Sequence, residues 1–163
     1  MSTTGNTTVP PSGHHLLVEL RNDGIYFASF DPLEDDTYQS CSVSFTAKNR
    51  PLCENVKNCV YENPQLLQEY DRTYILVDTS HFTFVPEELE KEEENRLPYY
   101  DFCFSGHDDH VIENHLVLNH AYLLFGVEHE LYTFLCRTFS NPIILHPLAS
   151  LCEYFFLHRR NGN

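Results

Sequence analysis

A four-residue apolar run near the middle of the chain, Tyr74-Ile75-Leu76-Val77, constrains the fold more than any other feature. It is short, continuous and bounded by polar residues, which is typical of a strand buried inside a sheet. A second apolar run at 82–85 is stopped by Pro86, and proline is tolerated only at the margin of a sheet. We therefore predict a central strand at 74–77 and a strand nearer an edge at 82–85.

The hydrophobic pattern on either side of this run predicts further strands and helices. Strands are predicted at 14–20, 24–30, 38–45, 99–104, 111–118, 121–127 and 143–145, and helices at 51–63, 128–139 and 148–156, with a helical turn at 65–70. This order predicts an α/β (mixed α+β) fold, with helices packed on a mixed sheet and a small inserted β segment.

Local composition predicts the domain boundaries. Residues 1–13 are Ser, Thr, Gly, Asn and Pro with almost nothing to bury, which predicts a disordered leader. We predict a single domain over 14–158, an inserted segment at about 82–120 and a tail at 159–163. The segment 87–95 has six Glu and one Lys, which favours a solvated acidic surface with at most a short helix.

The net charge limits the partners of the chain. Its 24 acidic and 10 basic residues give a formal charge of -14, which opposes binding to nucleic acid or anionic lipid. The six cysteines form no Cys-x-x-Cys pair, and the sequence has neither a secretory signal nor an apolar run long enough to span a bilayer. We predict reduced thiols, a cytoplasmic location, no nucleic-acid partner and no membrane insertion.

Two short stretches contain residue types used in catalysis or metal binding. His107-Asp108-Asp109-His110, together with His115, is the densest group of imidazoles and carboxylates, the ligands that suit Zn, Ni or Fe. The spacing matches no specific metal motif and polar residues in a loop need no metal to explain them, so a metal-dependent enzyme that uses the cluster at 107–120 is only the second alternative. Asp78-Thr79-Ser80-His81 holds the residue types of a hydrolase triad, but triad members converge through the fold, so we predict a turn capped by its own side chains.

The predicted order, βββ-αβ followed by an inserted β segment and αβ-α, resembles the first half of the actin, hexokinase and sugar-kinase superfamily, a ribonuclease-H-like fold. Two segments are similar to a Bacteroidetes family of unknown function with an actin-like ATPase fold: 74–89, from Tyr74 to Leu89, and Leu145-His146-Pro147-Leu148. The likeness covers about 16–157. Members of that family contain a second, similar half, so the chain resembles their N-terminal half.

The resemblance also directs attention to the turn between the first two strands. Active members of the superfamily place an Asp-x-Gly turn there, which helps to bind ATP with Mg. In this chain Asp23 directly precedes Gly24, and Ile25 and Tyr26 follow. The pattern departs from that of active members and favours a hairpin turn, so Asp23 and Gly24 are cofactor-binding residues only if the chain binds ATP with Mg.

These observations favour a non-enzymatic actin-like module that acts through protein–protein contacts and needs no cofactor. The alternatives are a nucleotide-binding member of the same superfamily and the metal-dependent enzyme. The last predicted helix carries Leu148, Leu151, Phe155 and Phe156, a large apolar set for one terminal helix. We predict either that this face closes the core of the monomer or that it forms a two-fold homodimer.

Overall fold

A computed structural model describes residues 13–47, 49–89 and 96–160, with residue 160 described by its backbone alone. The strands in this part of the chain are β1 His15–Leu20, β2 Gly24–Phe30, β3 Gln39–Ser44, β4 Arg72–Val77, β5 Phe82–Pro86, β6 Asp109–Leu116, β7 Ala121–Glu128 and β8 Ile143–Leu145. The α-helices are α1 Leu52–Glu62, α2 Leu97–Cys103, α3 His129–Thr138 and α4 Pro147–Arg160. Short 3-10 turns lie at Asp35–Thr37, Pro64–Leu67, Glu87–Leu89 and Val117–Asn119.

Five strands form a mixed sheet in the order β3-β2-β1-β4-β8. β1 and β2 are antiparallel with Leu20 opposite Ile25, and β2 and β3 are antiparallel with Phe27 opposite Cys41. The predicted central strand is confirmed as an interior strand, β4. The edge strand β3 is more exposed than its alternating sequence predicts, because Cys41 is exposed and Val43 only half-buried.

The other three strands form a separate antiparallel sheet in the order β5-β7-β6. β5 lies at an edge of this sheet and ends at Pro86, as the proline predicts. The meander predicted at 111–127 is confirmed as β6 and β7, and the turn between them holds His120 at a φ of 50°.

The chain divides into two compact units, Met1–Ile75 with Thr133–Ile143 and Leu76–Tyr132 with Ile144–Asn163. The buried residues of the first unit come mainly from β1, β2, α1 and α3 and include Leu16, Val18, Leu20, Ile25, Phe27, Val56, Cys59, Val60 and Leu135. The buried residues described for the second unit include one cluster of Val85, Tyr100, Tyr122 and Leu124 and another of Leu116, Leu123 and Ala149. The predicted domain boundaries stay predictions, and residues 1–12, 48, 90–95 and 161–163 lie outside the described residues.

The strand predicted at 99–104 is wrong, since residues 99–103 belong to α2 and Phe104 is the residue that ends this helix. Only Tyr100 is fully buried there, and Phe104, four residues later, packs against the same cluster. The spacing of four places both rings on one side of a helix, and Pro98 suits the first helical turn. Phe102 is 90% exposed, so the aromatic composition that suggested a strand does not report burial at this position.

No helix in the described part of the chain is both long enough and apolar enough to cross a bilayer. The predicted α/β class is confirmed by the mixed sheet and the four helices of these residues.

Candidate interaction surface

Helix α4 has a buried side and an apolar side that stays exposed. Leu148, Ala149 and Cys152 pack against Leu116 and Leu123 of the second unit. Four further apolar residues of the helix are exposed: Leu151 at 47%, Tyr154 at 54%, Phe155 at 65% and Leu157 at 50%. We call these four residues the α4 face. The apolar face predicted from the sequence therefore has two parts. Leu148 packs against the core, whereas Leu151 and Phe155 are exposed and do not close it.

The end of α4 carries the few basic groups near this face. His158 contacts Tyr154 through its ring, with centroids 3.9 Å apart, and through a hydrogen bond from Nδ1 to the Tyr154 carbonyl oxygen at 2.9 Å. Arg159 is exposed beside it. In a chain with a formal charge of -14, the α4 face is therefore an apolar surface with a basic end.

A buried histidine fixes the start of α4. His146 is 1% exposed, its Nδ1 accepts a hydrogen bond from the Leu148 amide at 3.2 Å, and its own amide donates to Asn114 Oδ1 at 2.9 Å. Because Nδ1 accepts, the ring proton lies on Nε2, which donates to the Thr79 carbonyl oxygen at 3.0 Å. His146 thus caps the helix and fixes its direction, a role that the sequence analysis did not identify.

The nucleotide-binding candidates Asp23 and Gly24 form the predicted hairpin turn. The Arg21 amide donates to the Gly24 carbonyl oxygen at 2.9 Å, and the Phe45 amide donates to the Asp23 carbonyl oxygen at 2.8 Å. A Cβ at Gly24 would collide with the Val43 carbonyl oxygen and lie 3.0 Å from the Ser44 Cα. The glycine is therefore required by the close approach of the β3 backbone, and the Asp23 side chain is exposed.

The three predicted metal ligands have separate partners. The His107 ring makes two hydrogen bonds. Its Nδ1 accepts from the Asp109 amide at 3.2 Å, and its Nε2 donates to Asp101 Oδ1 at 2.9 Å. His110 stacks on Tyr132 with ring centroids 3.5 Å apart, and burial, followed by the nearby His129, lowers the pKa of His110.

The third predicted ligand, His115, donates to Glu87 Oε1 at 2.5 Å and stacks on Tyr122. His120 donates to the other oxygen of Glu87 at 3.2 Å, and these two hydrogen bonds lower the pKa of Glu87. Among the described residues, no three His, Cys, Asp or Glu side chains come close enough together to hold a metal ion. The metal site stays a prediction.

Asp109 is the centre of a network that the sequence analysis also missed. Its Oδ2 accepts from His81 Nδ1 and from the Tyr100 hydroxyl, both at 3.1 Å. Burial and the neighbouring Asp109 carboxylate raise the pKa of Tyr100. Gly126 of β7 makes room for this contact, because a Cβ there would collide with the Tyr100 hydroxyl and lie 2.5 Å from Asp109 Oδ2.

The network resembles the pair of groups that orients a general base, since Asp109 holds the proton of His81 on Nδ1. The residues of the predicted triad stretch do not assemble around it: Asp78 and Ser80 are exposed, and Thr79 Oγ1 accepts from the His81 amide at 3.2 Å. This last contact is the turn capping that the sequence predicts. In the described residues, the ring of His81 has no hydroxyl or thiol among its hydrogen-bond partners.

A cavity of about 400 Å³ opens beside Asp109 in the second unit. It is lined by Leu97, His107, Asp108, Asp109, His110, Val111, Glu113, Leu124 and His129. Glu113 is already bound through both oxygens by Arg96, at 2.6 Å each. The cavity thus mixes carboxylates and imidazoles that mostly bond to protein partners, an arrangement that indicates no particular ligand.

The family model described as "Protein of unknown function (DUF3822)" matches residues 5–163. No curated protein is similar in sequence to this chain. A crystal structure from Bacteroides thetaiotaomicron, described as a protein with actin-like ATPase fold and unknown function, is similar with a TM-score of 0.82 at 27% sequence identity. The match covers 93% of this chain and 59% of that protein, so the chain spans less than two thirds of the length of this neighbour.

Proposed function

This chain belongs to the DUF3822 family and has an actin-like ATPase fold, and from that premise we propose that it is a non-enzymatic cytoplasmic module that acts through protein–protein contacts. The observation that carries the proposal is the α4 face, a set of exposed leucine and aromatic side chains on one helix. Contiguous exposed apolar surface with aromatic residues is typical of the centre of protein interfaces.

We infer that the partner at the α4 face is a second copy of this chain, related by a two-fold axis. Two chains that each carry a charge of -14 repel one another wherever acidic surfaces meet. The α4 face avoids this cost, since its four residues are uncharged and its end carries His158 and Arg159. An isologous contact also lets the same apolar residues cover one another in both copies.

The geometry of the β1–β2 turn supports the non-enzymatic part of the proposal. A phosphate cradle needs space around a glycine and donors that point into it. At Gly24 a Cβ would collide with the Val43 carbonyl oxygen, so the β3 backbone fills the space beside this glycine. Ile25 and Phe27, which follow in β2, are buried rather than available as ligands.

Light scattering across a range of protein concentrations tests the proposal. We expect the parent chain to have a mass above that of a monomer, and Phe155→Ser to lower that mass, because the substitution removes the most exposed ring of the α4 face. Phe102→Ser is the matched control, since Phe102 is 90% exposed on α2 and lies outside this face.

The control should keep the mass of the parent, and circular dichroism should show that both variants are folded. A parent that stays monomeric at high concentration contradicts the homodimer. Equal masses for the parent and Phe155→Ser would show that the α4 face is not part of the interface.

The second candidate function is a nucleotide-binding member of the actin-like superfamily, with Asp23 and Gly24 as cofactor-binding residues. It is favoured by the fold of the Bacteroides thetaiotaomicron neighbour, which is described as an actin-like ATPase fold. Calorimetric titration with Mg-ATP separates this candidate from the first, since only a nucleotide-binding chain should show saturable binding in the micromolar range.

A further inference from the structure

The edge strand β3 lacks the features that normally keep a sheet edge from pairing with another chain. It is six residues long, and Gln39, Ser40, Cys41, Ser42 and Ser44 are all exposed. Its sequence contains no charge and no proline, the usual means of protecting an edge. Along its open side, backbone N–H and C=O groups are in position to accept a further strand.

The other sheet edges in the described residues are better protected. β8 has only three residues, and β5 ends at Pro86. β6 carries Asp109, His110, Glu113 and His115 along its length. Charges, prolines and short length are the means by which proteins prevent edge-to-edge pairing, and β3 is the strand that has none of them.

The charges that flank β3 indicate which strand it pairs with. Asp35 and Asp36 lie in the 3-10 turn just before the strand, and Arg50 lies after it. All three are exposed. In an antiparallel pair of two β3 strands, the acidic end of each copy faces the basic end of the other, whereas a parallel pair would bring like charges together.

We propose that β3 binds the β3 strand of a second copy of this chain in an antiparallel, two-fold arrangement, which joins two five-stranded sheets into one. The uncharged strand is the part of this acidic chain where two copies approach with little repulsion. The contact is separate from the α4 face, and one chain with two isologous contacts forms assemblies larger than a dimer.

The test uses the Phe155→Ser chain, so that the α4 face does not contribute. We expect this chain to be a dimer by light scattering and sedimentation, and Ser40→Glu with Ser42→Glu to make it a monomer, because four like charges then meet across the two-fold axis. Ser80→Glu with Ser105→Glu is the matched control, since it adds the same charge at exposed positions outside both sheets. The control should remain a dimer.

Charge reversal tests the antiparallel direction. In the same Phe155→Ser chain, Asp36→Arg alone and Arg50→Glu alone should each weaken the dimer, with a dissociation constant raised about tenfold. The two together should restore most of the affinity, because the opposite charges then face one another again. Absence of this rescue, with both single variants weakened, would overturn the antiparallel arrangement.

Hydrogen exchange supplies a second measurement that does not depend on any variant. The outward amides of β3 should exchange more slowly as protein concentration rises, because they donate across the new contact in the dimer. A monomeric Phe155→Ser chain beside an oligomeric parent would overturn the β3 contact and leave the α4 proposal standing. A monomeric parent would overturn both.

Discussion

At the scale of single residues, a glycine of the second unit, Gly126, allows two side chains to approach the backbone closely. Gly126 lies in β7, and its amide donates to the His81 carbonyl oxygen at 2.9 Å. The space beside its Cα is filled by the Tyr100 hydroxyl and the Asp109 carboxylate. A glycine inside a strand normally weakens it, so its presence here indicates close approach by another group.

We expect Gly126→Ala to lower the free energy of unfolding by about 2 kcal/mol, because the new methyl group overpacks a filled site. Adding Tyr100→Phe should recover part of this loss, since removal of the hydroxyl gives the methyl group space. Urea unfolding of the two single variants and the double variant measures the coupling.

Gly106→Ala is the control for this experiment. No heavy atom lies within 4 Å of a Cβ at that position, but its φ of +78° is strained for alanine. We expect a loss of about 1 kcal/mol at Gly106 and no recovery with Tyr100→Phe. A Gly126→Ala chain as stable as the parent would contradict the prediction. It would show that Tyr100 and Asp109 can move away from the new methyl group without loss of stability.

At the scale of elements, strand and helix positions follow from periodicity where one side of the element is buried. α1 was predictable because Val56, Cys59 and Val60 repeat with the period of a helix and are all buried. α2 was not, because its exposed aromatics Tyr99 and Phe102 imitate a strand and only tertiary packing distinguishes them from Tyr100. Tertiary contacts thus override the propensity of the aromatic residues.

The start of α4 depends on a contact between elements that are distant in the sequence. His146→Ala should lower the free energy of unfolding by about 2–3 kcal/mol, because it removes the cap on the Leu148 amide and leaves the Thr79 carbonyl oxygen without its donor. His146→Asn should lose less, since its side chain can still cap the helix. Urea unfolding measures both losses.

The control for this prediction is His158→Ala at the other end of α4. His158 is exposed and bonds only to the Tyr154 carbonyl oxygen among the hydrogen bonds of the described residues. Its loss should change stability by less than about 0.5 kcal/mol. Equal effects at positions 146 and 158 would contradict the role of His146 as a structural cap.

At the scale of the whole molecule, the sequence predicts the class of fold but not which apolar residues remain exposed. α4 is apolar on nearly every side, with Ala149, Cys152 and Phe156 on one side and Leu151, Tyr154 and Leu157 on the other. Hydrophobic periodicity does not show which side of this helix is buried, because that depends on where Leu116 and Leu123 lie in three dimensions. The Asp109 network was hidden for a similar reason, since its members His81, Tyr100 and Asp109 are far apart in the sequence.

The remaining question at this scale is whether the actin-like fold of this chain binds nucleotide. We expect calorimetric titration with Mg-ATP to give no saturable binding tighter than about 1 mM, because catalytic members of the fold rely on positioned donors and the turn at Gly24 is filled by the β3 backbone. Asp23→Ala should leave the titration unchanged, as should the control Asn22→Ala in the same turn. Micromolar binding that disappears in Asp23→Ala and persists in Asn22→Ala would contradict this expectation. It would show that the turn binds the nucleotide and that the chain is an ATP-binding protein.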